Sequence, residues 1–276
     1  MNIAILLTCY NRKNKTYVCL EQVFHQTNQL NDHFSVYLVD DGSTDGTSEF
    51  IKQNFPQVKI IAGNGNLYWN RGMLLAWQTA LEDFKYDAVI WLNDDTILAA
   101  NALENLISAQ KRHNGSIIVG STGYNKDKTV FSYGGYIEKN CILKPKDQEI
   151  KCKYFNGNIV MVPVSVSDKI GLLDPYFSHA KGDFEYGLRA SKNNIEIYVL
   201  PIIGYCDRNS PYVKWMDEKY SMIERLKLLY SPLGNNPKEA YHLLKQESKF
   251  RALKTFFYLN LKACFPKLFP NRGHVK

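Results

Sequence analysis

The first hundred residues alternate between two hydrophobic periods. Four short apolar runs have the length and β-branched content of buried strands: 2–8, 35–39, 58–62 and 88–92. The segments between them place apolar residues at helical spacing: 15–29, 47–55 and 72–84. This β-α-β-α-β-α-β order predicts an α/β protein with a mostly parallel, doubly wound central sheet and right-handed crossovers.

The pattern changes after residue 100. The later segments predict helices at 103–107 and 165–170, strands at 117–120, 159–163 and 196–200, and an irregular hairpin at 129–138. From Met216 onward the spacing is helical, with one break at 231–237. We therefore predict an α/β domain over 1–212, with halves of about 1–100 and 101–212, and a helical extension over 213–276.

The fourth predicted strand ends in two adjacent carboxylates, Asp94 and Asp95. In open α/β sheets, the carboxyl ends of the strands form the edge where ligands bind. Two like charges at this edge are unfavourable unless a cation holds them, which indicates a divalent metal site. The alternative interpretation is that the pair caps the helix that begins near Asn101.

The other strands of the first half end in polar segments at the same predicted edge: 8–12, 39–47 and 63–72. None of them contains the glycine pattern of a dinucleotide-binding turn or of a P-loop. A phosphate-bearing ligand would therefore need another cation, and a divalent metal held by Asp95 would supply it. Asp40 and Asp41 are suited to hydrogen bonds with a base or a ribose.

Several motifs occur in the order and spacing of one family: TCYNR at 8–12, VDDGSTDGT at 39–47, GNGNLYW at 63–69, WLNDDT at 91–96, NGN at 156–158, IGLLD at 170–174 and FSHAKGDFEYGLRA at 177–190. With them the chain resembles the inverting family-two nucleotide-sugar glycosyltransferases, which have a GT-A fold. The likeness covers roughly residues 2–210. It is strongest to the bacterial rhamnosyltransferase-like and galactofuranosyltransferase-like branch.

The resemblance implies catalytic and metal-binding roles. Asp183 is the implied general base and Glu185 the second catalytic carboxylate. Asp95 is the implied ligand of Mn²⁺ or Mg²⁺, although Asn93 stands where the family has the first Asp of its D-x-D motif. Many relatives complete the metal shell with a later histidine, and Asp207 is the predicted substitute here.

The resemblance also implies two binding regions. The nucleotide-sugar donor is expected to contact residues of all four strand ends: Thr8, Tyr10, Asn11, Arg12, Asp40, Asp41, Asn66, Trp69, Arg71, Asn93 and Asp94. The acceptor, a glycan or a lipid-linked saccharide of cell-surface polysaccharide synthesis, is expected at three further residues: Gly157, Asn158 and His179.

The chemistry of inverting transfer agrees with the role of Asp183. An acceptor hydroxyl attacks the anomeric carbon opposite the leaving diphosphate, which requires a base on one side and an electrophile on the other. The alternative is that Asp183, Glu185 and Arg189 form an exposed helix face with spaced ion pairs. Three other residues also have a structural alternative: packing for Trp69, an ion pair with a nearby Asp for Arg71 and a structural hydrogen bond for His179.

The net charge of +7 lies entirely in the C-terminal tail. Residues 1–248 carry 27 basic and 27 acidic groups, whereas 249–276 carry seven basic groups and no acidic one. Because apolar residues alternate with these charges, the tail predicts either an amphipathic segment on an anionic membrane or a helix packed on the main domain. We expect no nucleic-acid partner.

The remaining composition is that of an ordinary globular protein, with 45% hydrophobic and 22% charged residues. The six cysteines form no C-x-x-C pair, and neither a secretory signal nor an apolar run of about 20 residues is visible. We therefore expect reduced thiols and a cytoplasmic protein, with peripheral binding at the inner face of the membrane if the tail contacts lipid.

Two rival functions remain open. A sugar nucleotidyltransferase would also bind a nucleotide and a metal, but such enzymes usually carry a Gly-rich loop after the first strand, and 8–12 lacks glycine. A non-catalytic carbohydrate-binding protein could use the aromatic residues, which make up 13% of the chain. It would not need Asp95 and Asp183.

Overall fold

The computed structural model describes residues 1–138, 141–208 and 213–269. The strands are β1 (Asn2–Cys9), β2 (His33–Asp40), β3 (Lys59–Ala62), β4 (Ala88–Leu92), β5 (Ile97–Leu98), β6 (Ile117–Gly123), β7 (Phe131–Tyr133), β8 (Gly135–Tyr136), β9 (Ile150–Lys151), β10 (Tyr154–Phe155), β11 (Ile159–Pro163) and β12 (Ile197–Tyr205). The helices are α1 (Lys13–Thr27), α2 (Thr47–Asn54), α3 (Tyr68–Asp83), α4 (Ala102–Arg112), α5 (Val164–Ile170), α6 (Gly182–Lys192), α7 (Met222–Tyr230), α8 (Pro237–Leu244) and α9 (Lys249–Cys264), with short 3₁₀ turns at Lys214–Met216 and Pro266–Leu268.

The central sheet has the strand order β3-β2-β1-β4-β11-β6-β12-β5. Pairing is parallel from β3 to β4, and β11 is antiparallel to both of its neighbours, β4 and β6. In this reversed strand, Ile159 lies opposite Leu92, the last residue of β4. The start of β11 therefore reaches the same sheet edge as the carboxyl ends of β1, β2 and β4.

Strand β1 shows how the sheet is buried on both faces. Ile3, Ile5 and Leu7 point to one apolar cluster, while Ala4 and Leu6 point to another, as the two-residue period of a strand requires. All five side chains are fully buried. A strand covered on both faces reads as a continuous apolar run, which is why the sequence showed no alternation here.

An aromatic cluster fills the core under the sheet edge. The ring of Trp91 in β4 makes edge contacts with Trp77 at 5.4 Å, Trp69 at 6.2 Å and Tyr186 at 5.1 Å between centroids. Trp69 and Trp77 belong to α3, and Tyr186 belongs to α6. The cluster thus fixes the starts of two helices relative to the end of β4.

The chain divides into two compact units. The first comprises residues 1–175 and 182–208 and contains the sheet; the second comprises 176–181 and the described part of 209–276. The domain prediction placed 176–181 in the first domain, whereas the segment Tyr176–Lys181 belongs to the second unit.

The second unit is helical and has a small core of its own. Its buried apolar side chains are Trp215, Leu229, Ala240, Leu259 and Ala263. The backbone amide and hydroxyl of Ser178 both donate to Glu239 of α8, at 3.0 and 2.7 Å, which anchors the segment 176–181 in this unit. Within the described ranges, no helix combines the length and apolar character needed to cross a bilayer.

One element prediction was wrong. The segment 129–138 does not form a hairpin with itself, because β7 pairs with β6 in the central sheet whereas β8 pairs with β10 in a separate two-stranded sheet. Glycines at 134 and 135 suggested a turn, but the chain instead passes from one sheet to the other between these two short strands.

Candidate active site

The loops after β1 and β2 are bonded to each other. Asn11 adopts a left-handed conformation, with φ of 50°, which Asn tolerates better than most residues. Its amide nitrogen donates to Ser43 Oγ at 2.8 Å, and its Oδ1 accepts from the Thr44 amide at 2.7 Å. Beside this junction, the ring of Tyr10 is 55% exposed and free of the core, a setting that suits stacking on a base.

Asp40 and Asp41 are both buried at the end of β2, but their contacts differ. Asp40 accepts from the Ser43 amide at 2.9 Å and from the Ser48 hydroxyl, one bond at each oxygen. Asp41 accepts three backbone amides, those of residues 65, 67 and 68, at 2.8 to 2.9 Å. Asp41 therefore organises the loop before α3, and the predicted contact with the nucleoside is better suited to Asp40.

The guanidinium of Arg12 lies between the two carboxylates that follow β4. Arg12 Nη1 donates to Asp94 Oδ1 at 3.0 Å and to Asp95 Oδ2 at 2.9 Å. Burial raises the pKa of Asp94 to about 6, although Arg12 and a hydrogen bond from Thr16 act in the opposite direction. The pair does not cap α4, whose N-cap residue is Asn101, so the capping interpretation was wrong.

The residue that contacts Asp95 from the end of β12 is Cys206, and not Asp207. Cys206 Sγ lies 3.4 Å from Asp95 Oδ1, and burial raises the pKa of this thiol to about 12, so it is a neutral donor. Asp207 instead accepts from the backbone and side-chain amides of Asn125, at 2.9 and 3.0 Å. These hydrogen bonds lower the pKa of Asp207 and orient it towards Asn125, and its role as the substitute metal ligand stays a prediction.

The donor set fits a hard divalent cation only in part. Within residues 1–138, 141–208 and 213–269, no group of three or more His, Cys, Asp or Glu side chains is arranged to hold a metal. Asp94 and Asp95 supply carboxylate oxygens, the ligands that Mg²⁺ and Mn²⁺ prefer. A Mg²⁺-type site of one or two carboxylates completed by substrate phosphates and water is consistent with this pair.

Asp183 begins α6 and is held by two backbone amides. Its Oδ2 accepts from Gly157 at 3.0 Å, and its Oδ1 accepts from Phe184 at 2.8 Å. Any side chain at 157 would meet the Trp69 ring, since a Cβ there would lie 2.6 Å from two of its carbons. Only glycine therefore lets the loop before β11 pass between Trp69 and Asp183.

A continuous path of contacts joins the Asp183 region to Asp95. Trp69 Nε1 donates to Asn93 Oδ1 at 2.7 Å, and the Asn93 amide donates to the Asn158 carbonyl at 3.0 Å. The side chain of Asn158 then contacts Cys206 Sγ at 3.6 Å, which in turn contacts Asp95. The structure thus brings the ends of β4 and β12, the start of β11 and the start of α6 to one region of the first unit.

Glu185 is occupied by a structural ion pair. Its carboxylate is 2% exposed and accepts from Arg189 Nε at 3.0 Å and Nη2 at 2.8 Å. Arg189 also donates to the carbonyls of Ile170 and Leu172. The alternative of spaced ion pairs on an exposed helix face is therefore confirmed in the ion pair of Glu185 with Arg189 but wrong in the exposure of Glu185. These contacts favour positioning α6 over a direct catalytic role.

Of the other predicted residues, Arg71 and Asn66 are exposed and Thr8 is buried. Arg71 donates from Nε to the Pro175 carbonyl at 3.0 Å, and Asn66 bonds to Asn64 on the exposed loop before α3. Thr8 is buried at the end of β1. His179 lies in the second unit, and its expected contact with the acceptor stays a prediction.

Two further side chains near Asp183 were not predicted. The Tyr136 hydroxyl donates to Asn156 Oδ1 at 2.8 Å and accepts from Arg208 Nη2 at 3.2 Å. The charge of Asp183 is close enough to help raise the pKa of Tyr136, although burial is the larger cause. Arg208 follows β12 directly, so its position at a strand end was the available signal.

Comparison with solved structures agrees with this fold. Mannosyltransferase PcManGT from Pyrobaculum calidifontis, in complex with GDP-Man and Mn²⁺, matches with a TM-score of 0.57 and 14% identity, over 99% of this chain and 76% of that chain. S. aureus TarS 1-349 in complex with UDP-GlcNAc matches with a TM-score of 0.53 and 12% identity, over 96% and 82%. The predicted GT-A fold class is thereby confirmed.

Sequence comparison identifies the family. The chain is 25% identical over 152 residues to poly(ribitol-phosphate) beta-N-acetylglucosaminyltransferase TarP of Staphylococcus aureus (strain N315), a match that covers 51% of this chain and 44% of that protein. The chain thus spans less than half of the length of this curated relative. The model of glycosyl transferase family 2 matches residues 4–171, more than half of the chain. The chain therefore belongs to glycosyl transferase family 2.

Proposed function

We propose that this chain is an inverting glycosyltransferase that moves a sugar from a nucleotide-diphosphate sugar to a hydroxyl group of a glycan or lipid-linked saccharide acceptor. The observation that carries the proposal is the contact path between Asp183 and Asp95: Asp183 accepts from the Gly157 amide, the next residue Asn158 contacts Cys206, and Cys206 contacts Asp95. It supports one site in which a base and a pair of acidic ligands serve the same reaction. We further propose cell-surface polysaccharide synthesis as the setting, by analogy with the polymer named for TarP.

In the proposed reaction, the acceptor hydroxyl attacks the anomeric carbon of the donor sugar. Asp183 takes the hydroxyl proton, the new glycosidic bond forms, and the bond to the nucleoside diphosphate breaks on the opposite face. Two backbone amides, those of Gly157 and Phe184, fix the orientation of the carboxylate. Positioned bases of this kind typically contribute ~10²–10⁴-fold to the rate.

The donor is proposed to lie across the ends of β1, β2 and β4. Exposed Tyr10 would stack on the base, Asp40 would accept a hydrogen bond from the nucleoside, and Trp69 would lie against the sugar. Asp95, with Asp94 beside it, would hold a divalent metal that neutralises the leaving diphosphate when bound. UDP-GlcNAc and GDP-Man, the donors named for two structural neighbours, represent the donor class and do not select a sugar for this chain.

The experiment compares Asp183→Asn with wild type on a panel of UDP-, GDP- and dTDP-sugars with Mn²⁺ or Mg²⁺. We expect the variant to keep the donor-induced rise in Tm and to lose at least about 10²-fold in release of nucleoside diphosphate. Asp168→Asn, the same change on an exposed carboxylate of α5, is the matched control and should retain turnover. Turnover at the wild-type level in Asp183→Asn would contradict the assignment.

The same assay separates the rival functions. A sugar nucleotidyltransferase would release or consume pyrophosphate, and a non-catalytic carbohydrate-binding protein would release no nucleotide from any donor of the panel. Release of a nucleoside diphosphate together with a glycoside of inverted anomeric configuration, detected by nuclear magnetic resonance, is the result that only the proposed function gives.

A further inference from the structure

Helix α9 and the 3₁₀ turn after it have two apolar faces. The inner face carries three buried side chains, Ala252, Leu259 and Ala263, and the last two belong to the small core of the second unit. Arg225 of α7 fixes the end of the helix, because its Nε donates to the Ala263 carbonyl at 2.7 Å. The contacts of the inner face thus hold the helix in the second unit, and they do not involve its opposite face.

The outer face is an exposed stripe of large apolar side chains. Its members recur every three or four residues along one side of the helix and the turn: Phe250, Leu253, Phe257, Leu261, Phe265 and Leu268. Phe250 is 78% exposed, Phe257 60% and Leu268 73%. At 1.5 Å per residue the stripe is roughly 27 Å long. Single exposed apolar residues are ordinary, but a contiguous row of this kind marks an interaction surface.

Basic residues border this stripe. Arg251 and Lys262 flank it on one side, Lys249 flanks it on the other, and Lys254 lies within it, as the 100° step of a helix places them. The sequence from 249 onward contains no acidic residue. Two exposed ion pairs reach it from outside, Arg251 with Glu247 at 3.0 Å and Lys267 with Glu218 at 3.6 Å, and such pairs are weak in water.

We propose that this outer stripe binds the surface of an anionic lipid bilayer, with α9 lying in the plane of the interface. The six apolar side chains would enter the boundary between headgroups and acyl chains, and the flanking Lys and Arg side chains would extend to the lipid phosphates. This inference is independent of the role proposed for Asp183.

The charge pattern favours lipid over the other occupants. A second copy of the chain, meeting this one through the same stripe, would bring two sets of basic side chains together in a symmetric contact. A nucleic acid would use the basic groups but would leave the six apolar side chains in water. An anionic bilayer satisfies both features, since it offers phosphate at its surface and hydrocarbon beneath.

The test is sedimentation of the full chain with vesicles of phosphatidylcholine alone or with phosphatidylglycerol added. We expect binding to the anionic vesicles, weaker binding to the neutral ones, and a loss of affinity as salt is raised, because the attraction to anionic lipid is screened. Phe250→Ser/Phe257→Ser/Leu261→Ser should lower the partition coefficient by at least about tenfold.

Matched controls separate the stripe from general effects. Ile223→Ser removes an equally exposed apolar side chain of α7 in the same unit and should leave vesicle binding unchanged. Lys254→Gln/Lys262→Gln should weaken binding to anionic vesicles only, whereas Lys227→Gln/Lys238→Gln, the same charge change on α7 and α8, should have little effect. Circular dichroism checks that each variant is folded, and the single variant Phe257→Ser serves if the triple variant is not.

Three results would overturn the proposal. The first is that the wild-type chain sediments with neither vesicle; the second is that the triple or single stripe variant binds as the wild type does. The third is a concentration-dependent dimer, seen by analytical ultracentrifugation and abolished by Phe257→Ser, without binding to vesicles. That third result would assign the stripe to a contact between copies of the chain.

Discussion

At the scale of single residues, Arg12 links the two adjacent carboxylates of the site. Asp94 and Asp95 are adjacent, and their side chains are only 5% and 13% exposed, so their mutual repulsion is poorly screened by water. The guanidinium of Arg12 contacts both and compensates part of this repulsion in the absence of a metal. The same contact means that a divalent cation at Asp95 must compete with Arg12 or share the carboxylate with it.

Replacing Arg12 therefore tests the pair directly. We expect Arg12→Met to lower the free energy of unfolding by about 1–3 kcal/mol, because two neighbouring carboxylates lose their counter-charge. Added Mg²⁺ or Mn²⁺ should restore part of this loss in the variant more than in the wild type. Urea unfolding followed by circular dichroism measures both effects.

The control is Lys15→Met, which makes the same charge change at an exposed position of α1. It should be nearly neutral, with no response to the metal beyond that of the wild type. If neither Mg²⁺ nor Mn²⁺ restores the stability lost in Arg12→Met, the metal does not take the position of the Arg12 guanidinium between the two carboxylates.

Glu149 offers a second residue-scale prediction, through pH. Burial raises the pKa of this carboxyl, but hydrogen bonds from its own amide, Arg112 and His113 outweigh the burial and lower it from 4.5 to about 2. A lowered folded-state pKa gives stability that is present above pH 4.5 and lost as the pH falls towards 2. Glu149→Gln should therefore cost up to about 1 kcal/mol at pH 7.

Unfolding in urea at several pH values checks this prediction. The difference between Glu149→Gln and wild type should shrink steadily below pH 4.5. Glu82→Gln, at an exposed position of α3, should show little difference at any pH. A gap in Glu149→Gln that stays constant from neutral pH down to about 2.5 would rule out the ionic origin of the effect.

Sequence could name the residue types of the site but not all of their partners. Asp95 was predicted as a site residue because it follows a buried strand, and Asp183 because it lies in a family motif. The bond between Arg12 and Asp94 joins residues 82 positions apart, and its geometry depends on how α1 packs beside β4. Whether Cys206 or Asp207 contacts Asp95 depends on which side chain points inward after β12. A shift of one residue in register would exchange the two.

At the scale of elements, the start of α6 is set by close packing on α3. A Cβ at Gly182 would lie 1.8 Å from Asn70 Oδ1 and 2.6 Å from Asn70 Cγ. Gly182 directly precedes Asp183, so this contact also fixes where the proposed base stands. A side chain at 182 must push the two helices apart or displace Asn70.

We expect Gly182→Ala to lower the free energy of unfolding by about 1–3 kcal/mol, as overpacking of a buried contact usually does. Release of nucleoside diphosphate should fall as well, because Asp183 moves with the helix. Asn70→Ala is expected to be destabilising alone, since it removes a 2.9 Å hydrogen bond to the Asp174 carbonyl. The double variant should lose less stability than the sum of the two single variants, because Asn70→Ala makes room for the Cβ at 182. Additive losses of stability would show that the two side chains do not clash.

Hydrophobic period predicted most elements to within a few residues of their ends. The run 88–92 and the run 159–163 coincide with β4 and β11, because both are fully buried and each begins after a polar residue. Helix α3 begins at Tyr68, four residues before the predicted start, because the three amides bound by Asp41 initiate it. The reversed direction of β11 could not be predicted, since a buried run reads the same in either direction.

At the scale of the whole molecule, the acidic pair predicts coupling between metal and nucleotide. Among the described residues, no group of three or more His, Cys, Asp or Glu side chains is arranged to hold a metal, so Mn²⁺ alone should bind weakly. A nucleoside diphosphate would supply further oxygens. The nucleotide to use is whichever of UDP, GDP and dTDP raises the Tm most. In its presence we expect Mn²⁺ to bind at least about tenfold more tightly than in its absence.

Electron paramagnetic resonance of free Mn²⁺ measures this coupling without any turnover. By reciprocity, Mn²⁺ must tighten the nucleotide by the same factor, which a thermal titration checks independently. Asp95→Asn should abolish the coupling, and Asp168→Asn should preserve it. Equal Mn²⁺ affinity with and without nucleotide would contradict a site shared by both.

The aromatic cluster under the sheet edge has a practical consequence. It contains three of the four tryptophans of the chain, Trp69, Trp77 and Trp91. The indole N–H groups of Trp77 and Trp91 have no acceptor among the described residues, an apolar setting that favours blue-shifted fluorescence. Trp69 bonds to Asn93 at the end of β4, where a nucleobase or sugar that arrives would quench its emission. The proposed donor contact at Trp69 would thus give the unlabelled protein its own optical reporter of binding.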